Sequence, residues 1–495
     1  MSGFCHEDGL PGALAWEVEL DRLCSGQSGW ALLQCLSMLA LLRASDLSST
    51  EQDSFLQAVA RILGETYPPE AAVDELAGVA EACPLPEDDR AFLVERLRRL
   101  PAEVEAWALD CGLFEGEQVA GEEAADEQSE GGVNQVVAEA SCELVRFVEG
   151  LPLDGGCFDA VARRCLAAAG RTGGLFSTPE CVVDLMARIV SPNMREASSL
   201  YDPCCGAGFL LSACAATCEH AVGEPALFAQ DVDPQAYALL RSRMLIASVL
   251  ADEAVPLPAL DVKAGDVLTG SWHSAEAPFD VVVSHAPTLL EWPGSSSAAL
   301  AADARFAGAG ALAPKDAADL AFVLHAYHCL APSGVAALVV FPAPLRRGDA
   351  ERTIRRYLLE QDAIDAVIQL PPRLLADSSM AASILVLRKG RAHDDVLFID
   401  AMKEGRKSGE GNVLSAETIE RIARALERRE DVEGFAKNVS KGVIVRKAWS
   451  LTVADYFEAE APKISVDLEH VKRVSAGFSD LAAIRMEKLS GILPH

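Results

Sequence analysis

Residues 200–211 read LYDPCCGAGFLL: a short apolar run, an Asp-Pro pair, glycines at positions 206 and 208, and the start of an apolar helix. A strand that ends in an acid and turns through Gly-x-Gly into a helix brings backbone amides and a helix N-terminus close to a ligand. A nucleotide-like cofactor is held in this way. The same turn also occurs in ordinary βα units, where the glycines only relieve crowding. The flanking sequence has to separate these two interpretations.

Strands and helices alternate on both sides of this stretch. The alternation predicts an α/β fold with a mainly parallel sheet, helices on both faces, and ligands at the carboxyl ends of the strands. The last pair of closely spaced runs, 364–370 and 383–388, predicts an antiparallel pairing at the edge of the sheet. The predicted strands are 199–202, 226–231, 279–284, 335–341, 364–370, 383–388 and 396–400.

Composition shifts divide the chain into four parts. Residues 1–102 are predicted to form a helical N-terminal domain, and residues 103–132, with ten acids and no base, a flexible linker. The α/β domain is expected at 133–405, with a helical lead-in at 133–169. Residues 406–495 are expected to be helical, and the apolar spacing in 465–493 suits a helix that packs on a partner or on the core.

Composition also limits the functions open to the chain. Its 495 residues are 50% hydrophobic and carry a net charge of −31, which opposes non-specific attraction to nucleic acid. Any DNA contact must therefore be local or be supplied by a partner. Fourteen scattered cysteines without a CxxC pair or a secretory leader predict reduced thiols and a cytoplasmic protein. The longest apolar run, 30–42, is too short for a membrane span.

Acids follow two later apolar runs. Asp231 lies about 25 residues past the glycines, where a carboxylate can accept both hydroxyls of a ribose. Asp233 is an alternative, although it can equally be the N-cap of a helix that begins at Pro234. Asp266 follows a glycine and can accept from an exocyclic amine, but by default it is a turn acid.

Structural explanations account for all or part of three other segments. In GRTGGLFSTPECVVDLM, residues 170–186, helix capping explains Thr178 and Pro179 but leaves Phe176 and the glycines unexplained. His325 and His328 share a helix without nearby acids, so no metal site is predicted. The basic segment 437–447 is either a phosphate or partner contact or a solvated face.

Taken together, these segments resemble the modification subunits of type I restriction-modification systems and related adenine-N6 DNA methyltransferases. The resemblance covers roughly residues 170–460, with FSTPECVVDLM, YDPCCGAGFLL, AQDVDPQAYALLRSRMLI and GDVL in the family's order. It implies a Rossmann-like S-adenosylmethionine-dependent methyltransferase sheet flanked by helical N- and C-terminal regions. The residues to which it assigns cofactor binding are Phe176, Thr178, Pro179, Asp202, Cys204, Gly206, Gly208, Asp231 and Asp266.

The catalytic loop of this family is Asn-Pro-Pro-aromatic. Its Asn oxygen and a backbone carbonyl accept the hydrogens of the adenine amine, and its ring stacks on the flipped base. The corresponding residues here are His285-Ala286-Pro287-Thr288. A neutral histidine can accept one hydrogen bond, but Thr288 offers no stacking face, a loss of roughly 1 to 3 kcal/mol. No aromatic pair follows Pro371-Pro372 either.

The resemblance therefore implies two functions. The first is S-adenosylmethionine-dependent methylation of adenine in DNA, with DNA read by a partner specificity subunit and a restriction subunit as a further partner. In this function His285 and Pro287 stand where the amine acceptors belong. The alternative is a catalytically degenerate scaffold or regulator that keeps the cofactor fold.

Overall fold

A computed structural model describes the α/β part of the chain. The described ranges are 155–169, 178–218, 225–233, 260–270, 276–288, 290–375, 379–408 and 411–457, together with positions 91, 236, 239–241, 243–244 and 273. The predictions of a helical domain at 1–102 and a linker at 103–132 fall almost entirely outside these residues. Phe176 and the last part of the expected helical C-terminal region, 458–495, also lie outside them.

The described strands are β1 (Ser199–Asp202), β2 (Ala226–Asp231), β3 (Leu260–Ala264), β4 (Phe279–Ser284), β5 (Leu330–Val340), β6 (Ile364–Gln369), β7 (Ser383–Arg388), β8 (Val396–Asp400), β9 (Arg406–Ser408), β10 (Gly411–Val413) and β11 (Ala436–Val439). Nine of them form one sheet in the order β11-β8-β6-β7-β5-β4-β1-β2-β3, and β9 pairs with β10 separately. The strands β1 to β5 are parallel to their neighbours in that series, and β8 is parallel to β6. Antiparallel pairings join β7 to β5 and β6, and β11 to β8.

The described helices are α1 (Gly155–Ala169), α2 (Glu180–Met194), α3 (Phe209–Ala215), α4 (Ala298–Ala302), α5 (Asp319–Cys329), α6 (Pro342–Arg346), α7 (Asp349–Glu360), α8 (Ala416–Arg428) and α9 (Lys441–Arg446). Helix α2 packs against α3 and α8, and these three share an apolar core with one face of the sheet. Leu200 belongs to this core, whereas the next residue, Tyr201, contacts His325 of α5. Because successive side chains of a strand point to opposite faces, α5 covers the other face.

The central strands show why the sheet is buried on both sides. Residues 281–283 of β4 are three consecutive valines without solvent exposure, and all six residues of β6 are buried. Such continuously buried, mainly apolar strands are typical of a sheet covered by helices on both faces. Among the described helices, none is both long and apolar enough to cross a membrane.

The structure confirms an α/β sheet and corrects two details of its layout. The runs at 364–370 and 383–388 do pair antiparallel, but β7 lies inside the sheet because β8 and β11 extend it beyond β6. The region from 406 onward, expected to be helical, contributes β9, β10 and β11 as well as α8 and α9. β3 and β11 were missed because they are short and carry polar residues.

Candidate functional site

The loop after β1 depends on its two glycines. Gly206 has φ +51° and Gly208 has φ +76°, the left-handed region in which side chains are strained. A Cβ atom on Gly208 would lie 2.0 Å from Cδ1 of Leu240. Relief of crowding, one of the two interpretations of this motif, therefore applies to Gly208. It does not exclude a ligand role for the loop, since the same backbone also shapes a cavity.

Asp231, at the end of β2, holds this loop in place. Its carboxylate accepts hydrogen bonds from the amides of Gly206 (2.8 Å) and Asp233 (3.0 Å), and its carbonyl accepts from the amide of Gly265 after β3 (2.8 Å). Asp231, the residue predicted to bind the ribose, thus also connects the carboxyl ends of β1, β2 and β3. Each carboxylate oxygen has two acceptor positions, so capacity for a hydroxyl remains.

Two desolvated carboxylates lie at the ends of β1 and β2. Asp202 is 1% exposed and accepts a hydrogen bond from the amide of Cys204. Burial raises the pKa of Asp202 to about 8, and the neighbouring charge of Asp231 adds to this. Burial also raises the pKa of Asp231, against the effect of its two amide donors. Within the described part of the chain, no Lys or Arg pairs with either carboxylate, so the pair favours a ligand that brings positive charge.

Thr178 contacts the predicted catalytic loop instead of capping a helix. Helix α2 begins at Glu180 with Pro179 in the N-cap position, and no side chain caps it. The hydroxyl of Thr178 lies 2.9 Å from Nδ1 of His285. The capping explanation of Thr178 is therefore wrong, and Pro179 occupies the N-cap rather than the first helical position. The contact brings together two segments that are 107 residues apart in sequence.

His285 is a neutral imidazole at neutral pH, because burial lowers its pKa to about 4. Its two tautomers have opposite properties at Nε2. If Nδ1 accepts from Thr178, Nε2 carries the proton and is a donor; if Nδ1–H donates to Thr178, Nε2 is an acceptor. The role of Thr178 in this hydrogen bond thus decides what His285 offers to a ligand.

One cavity collects five of the twelve predicted site residues that the structure describes. Thr178, Asp202, Cys204, Gly206 and His285 all line it. Its other lining residues are Leu166, Cys205, Ala207, Phe209 and Leu210. The glycine loop, the segment before α2 and the end of β4 thus face a common space.

The rest of the predicted catalytic loop faces a different space. Ala286, Pro287 and Thr288 line a smaller pocket with residues of α5 that include Asp319 and Phe322. Only His285, of the four loop residues, lines the larger cavity with the glycine loop. The two pockets lie on either side of one loop at the end of β4.

The surroundings of two other predicted residues, Asp266 and Cys204, are defined by contacts and burial within the chain. The carboxylate of Asp266 accepts from the amide of Leu268 (2.9 Å) and from the hydroxyl of Thr269, as in a turn. Burial raises the pKa of the thiols of Cys204 and Cys205 well above the usual range. Both cysteines are therefore thiols at neutral pH, which disfavours a nucleophilic or redox role.

No sequence pattern predicts that Arg243 supports the glycine loop. Arg243 is 3% exposed and forms two hydrogen bonds with the carboxylate of Asp159 in α1, at 2.9 and 2.7 Å. A third nitrogen donates to the carbonyl of Ala207 inside the loop. The guanidinium also lies 3.7 Å above the ring of Phe209. Arg243 thus links α1 to the loop, a contact that spans 84 positions and has no local motif.

His325 does not have the surroundings of a metal ligand. Its ring is fully buried, with Nε2 3.3 Å from the hydroxyl of Tyr201 and Nδ1 3.3 Å from Nη1 of Arg305. Burial, together with the charge of Arg305, lowers the pKa of His325 to about 3. A guanidinium next to the ring repels a metal ion, so this histidine has a packing role.

Comparisons with known proteins identify a family and relatives of this chain. The pattern of the N-6 DNA methylase family matches residues 155–464. The chain is 34% identical over 346 residues to the methylase subunit of the type I restriction enzyme MpnII from Mycoplasma pneumoniae, covering 66% of this chain and 63% of that protein. It is 27% identical over 304 residues to the MjaIX methylase subunit from Methanocaldococcus jannaschii, covering 58% of this chain and 52% of that protein. The chain thus spans less than two thirds of the length of these curated relatives.

A solved structure shows the same fold over most of the chain. The methyltransferase subunit of the type I restriction-modification system from Streptococcus thermophilus superposes with a TM-score of 0.67 and 28% identity, covering 90% of this chain and 99% of that one. The predicted Rossmann-like methyltransferase fold is confirmed. Because the family pattern matches more than half of the sequence, the chain belongs to the N-6 DNA methylase family.

Proposed function

We propose that this protein transfers a methyl group from S-adenosylmethionine to N6 of adenine in DNA, as a modification subunit of a type I restriction-modification system. One observation carries the proposal. Asp202 and Gly206 of the glycine loop line the same cavity as His285, the first residue of the predicted catalytic loop. A cofactor site and an acceptor for the target base are therefore neighbours.

The residues in and beside the cavity fit the cofactor: Asp202 lines it, and Asp231 bonds the amide of Gly206 in its wall. S-adenosylmethionine would supply an activated methyl group and carries positive charge on its sulfonium and ammonium groups. Asp202 and Asp231 offer carboxylates that have no cationic partner among the described residues. Gly206 exposes backbone next to Asp231 without a side chain. Asp202 and Asp231 would bind the polar groups, and Gly206 would allow close approach of the loop.

His285 is suited to hold the amine of adenine. The amine is a poor nucleophile, and an acceptor that withdraws one of its hydrogens favours attack by the nitrogen. The pKa of His285, about 4, keeps the ring neutral, so Nε2 accepts a hydrogen bond when Nδ1–H donates to Thr178. In this arrangement Thr178 is the acceptor that fixes the tautomer. His285 then replaces the family's Asn as a single acceptor.

DNA recognition is assigned to a partner. A net charge of −31 disfavours DNA binding by the chain alone, so we assign sequence reading to a specificity subunit and cleavage to a restriction subunit. In the basic segment 437–447, Lys441 pairs with Asp362, and Lys437, Arg446 and Lys447 are exposed. Cys181, Cys204, Cys205, Cys214 and Cys329 are free thiols, which fits a cytoplasmic location.

A specific observation favours a second function, a cofactor-binding scaffold without catalysis. Thr288 takes the place of the aromatic residue that would stack on a flipped base. If the stack is lost without replacement, the chain binds the cofactor and leaves DNA unmodified. Both functions require S-adenosylmethionine binding, and they differ in methyl transfer.

Two measurements on the full chain separate these functions. Calorimetry with S-adenosylmethionine should show one site; absence of binding would contradict both functions. Transfer of labelled methyl groups to DNA, in the presence of the specificity subunit, should then be observed for the wild type and lost in His285→Ala. If transfer requires His285→Asn together with Thr288→Phe, with Thr288→Ser as the matched control, the scaffold function is correct.

A further inference from the structure

Three side chains outside the cavity converge at the β3 edge of the sheet. Asp261 lies on β3, and His273 and Glu276 lie in the segment between β3 and β4. Nδ1 of His273 is 3.4 Å from Oδ2 of Asp261 and 3.8 Å from Oε2 of Glu276. The ligand atoms of all three residues lie within 4.8 Å of one another. None of them lines the proposed cofactor cavity.

The orientation of His273 leaves one nitrogen without a hydrogen bond. The ring is 0% exposed and packs edge-on against Tyr201 and Phe228. Its Nε2 lies 3.0 Å from the carbonyl of Ala229, and because a carbonyl only accepts, Nε2 carries a proton. Among the residues described by the structure, Nδ1 has no hydrogen-bond partner. A neutral ring therefore directs a bare lone pair towards two carboxylates.

Positive charge between the three groups stabilises this juxtaposition, and Nζ of Lys263, 3.6 Å from Oε2 of Glu276, supplies part of it on the side of Glu276. Either a proton on Nδ1 or a metal ion removes the repulsion between the lone pair and the carboxylate oxygens. A metal ion binds the neutral form of the ring, in which Nε2–H donates to Ala229 and the lone pair of Nδ1 is available for coordination.

The donor set and its geometry suit a divalent transition-metal ion. One imidazole nitrogen and two carboxylate oxygens are ligands for Zn²⁺ and similar ions, and tetrahedral bonds of about 2.0–2.2 Å place ligand atoms roughly 3.3–3.6 Å apart. The distances of 3.4 and 3.8 Å from Nδ1 are close to this spacing. Donation of the other ring N–H to a backbone carbonyl, as from His273 to Ala229, is the usual second contact of a metal-binding histidine.

We propose that Asp261, His273 and Glu276 bind one divalent transition-metal ion, with water completing its coordination. The ion would connect the edge strand β3 to the segment that enters β4. Gly265 and Asp266 lie between these two anchor points in sequence. The ion would thus stabilise the turn that contains them, and it has no part in methyl transfer.

Metal titration of the chelator-treated full chain tests this site. Co²⁺ serves as a spectroscopic probe, because its absorption distinguishes nitrogen and oxygen ligands from cysteine thiolates; Zn²⁺ is titrated calorimetrically. We expect one site without thiolate charge transfer. Asp261→Asn and Glu276→Gln should each weaken binding at least about 10-fold. Glu417→Gln, on an exposed acid of α8, should leave binding unchanged.

The carboxylate variants keep the test independent of folding. Asp261 and Glu276 are 48% and 30% exposed, whereas His273→Gln risks disturbing the buried ring packing. Equal metal affinity in the wild type and both variants, or a cobalt spectrum dominated by thiolates, would overturn the proposal. Calorimetry with S-adenosylmethionine on the same variants reports on the cofactor cavity separately, so failure of one site is distinguishable from failure of the other.

Discussion

The glycine loop and the catalytic loop lie on adjacent strands of one sheet, yet they are held by different kinds of contacts. The glycine loop is fixed by its own backbone: left-handed glycines, amide bonds to Asp231 and the guanidinium of Arg243 at a carbonyl. The loop 285–288 is instead held by a contact between two side chains, the hydrogen bond of His285 with Thr178.

The difference shows which part of the site the fold itself constrains. Backbone geometry at the glycine loop cannot change without disturbing the junction of β1, β2 and β3. The side chains after β4 line two pockets and are partly exposed, so His285 and Thr288 can differ from the family's pattern without cost to folding. We therefore expect substitutions in the glycine loop to affect both stability and cofactor binding, and those in the catalytic loop to affect methyl transfer.

The largest effect is expected from Gly208→Val. A side chain at φ +76° is strained, and its Cβ would overlap the buried Leu240. The free energy of unfolding should fall by about 2–4 kcal/mol, and cofactor binding should be lost. Chemical denaturation and calorimetry measure the two effects. Gly348→Ala is the matched control, since Gly348 has φ −79° and open space around its Cα; similar losses in both variants would contradict the account.

Asp202→Asn should weaken the binding of S-adenosylmethionine while it stabilises the free protein. Loss of one charged hydrogen bond costs about 1.5–3 kcal/mol, or roughly 10- to 100-fold in the Kd for S-adenosylmethionine. Unfolding experiments on the free protein should show the opposite change. The pKa of Asp202 is about 8 when folded, above its unfolded value, so its ionisation opposes folding once the pH exceeds the unfolded pKa. Asn removes this opposition, and the gain in stability should appear above about pH 4 and reach its full size near pH 8.

The pH dependence of cofactor binding provides the control for Asp202. Wild-type affinity should rise between pH 6 and pH 9 as Asp202 loses its proton, whereas Asp202→Asn should show a flatter profile. Asp394→Asn, at an exposed position, should behave like the wild type. A wild-type affinity that is constant over this range would show that the Asp202 carboxylate does not contact the charged ligand.

Arg243→Gln should have an intermediate effect. It leaves the carboxylate of Asp159 and the carbonyl of Ala207 without their donors, which costs about 1–3 kcal/mol of stability and weakens cofactor binding several-fold. Arg356→Gln is the matched control, because its ion pair with Glu360 is exposed and contributes at most about 1 kcal/mol. Thermal unfolding measures the stability and calorimetry the cofactor affinity. Equal values of both in the two variants would contradict the role of Arg243 in supporting the glycine loop.

Thr178→Val should have the smallest effect on folding and a specific effect on His285. Without the hydroxyl, Nδ1–H loses its acceptor and the ring becomes a mixture of tautomers. Nitrogen-15 NMR of labelled histidine should detect this mixture, and methyl transfer should fall by up to about 10-fold. Thr178→Ser keeps the hydroxyl and should retain both properties. An unchanged histidine spectrum in Thr178→Val would exclude the proposed tautomer control.

Local patterns predicted the sheet and the glycine loop well. Apolar runs define strands whatever their partners are, and the Gly-x-Gly turn requires its backbone geometry at Gly206 and Gly208. The edge position assigned to β7 was wrong, because strand order depends on β8 and β11, which lie farther along the chain. Sequence spacing alone cannot show which strand becomes an edge.

Contacts between distant side chains could not be predicted. Thr178 has every property of an N-cap residue, yet its hydroxyl contacts His285. The bonds from Arg243 to Asp159 and Ala207 likewise follow from tertiary packing. The cofactor-binding and catalytic roles of all the predicted site residues remain predictions, because they concern ligands rather than contacts within the chain.

Quantification of N6-methyladenine in the DNA of cells that produce the full chain with its specificity subunit tests the central claim most directly. The proposed role of His285 predicts methylated adenine with the wild-type chain and background levels with His285→Ala, at equal protein abundance. Asp202→Asn should give the same loss through weaker cofactor binding. Background methylation with the wild type, or full methylation in His285→Ala, would contradict the proposed function.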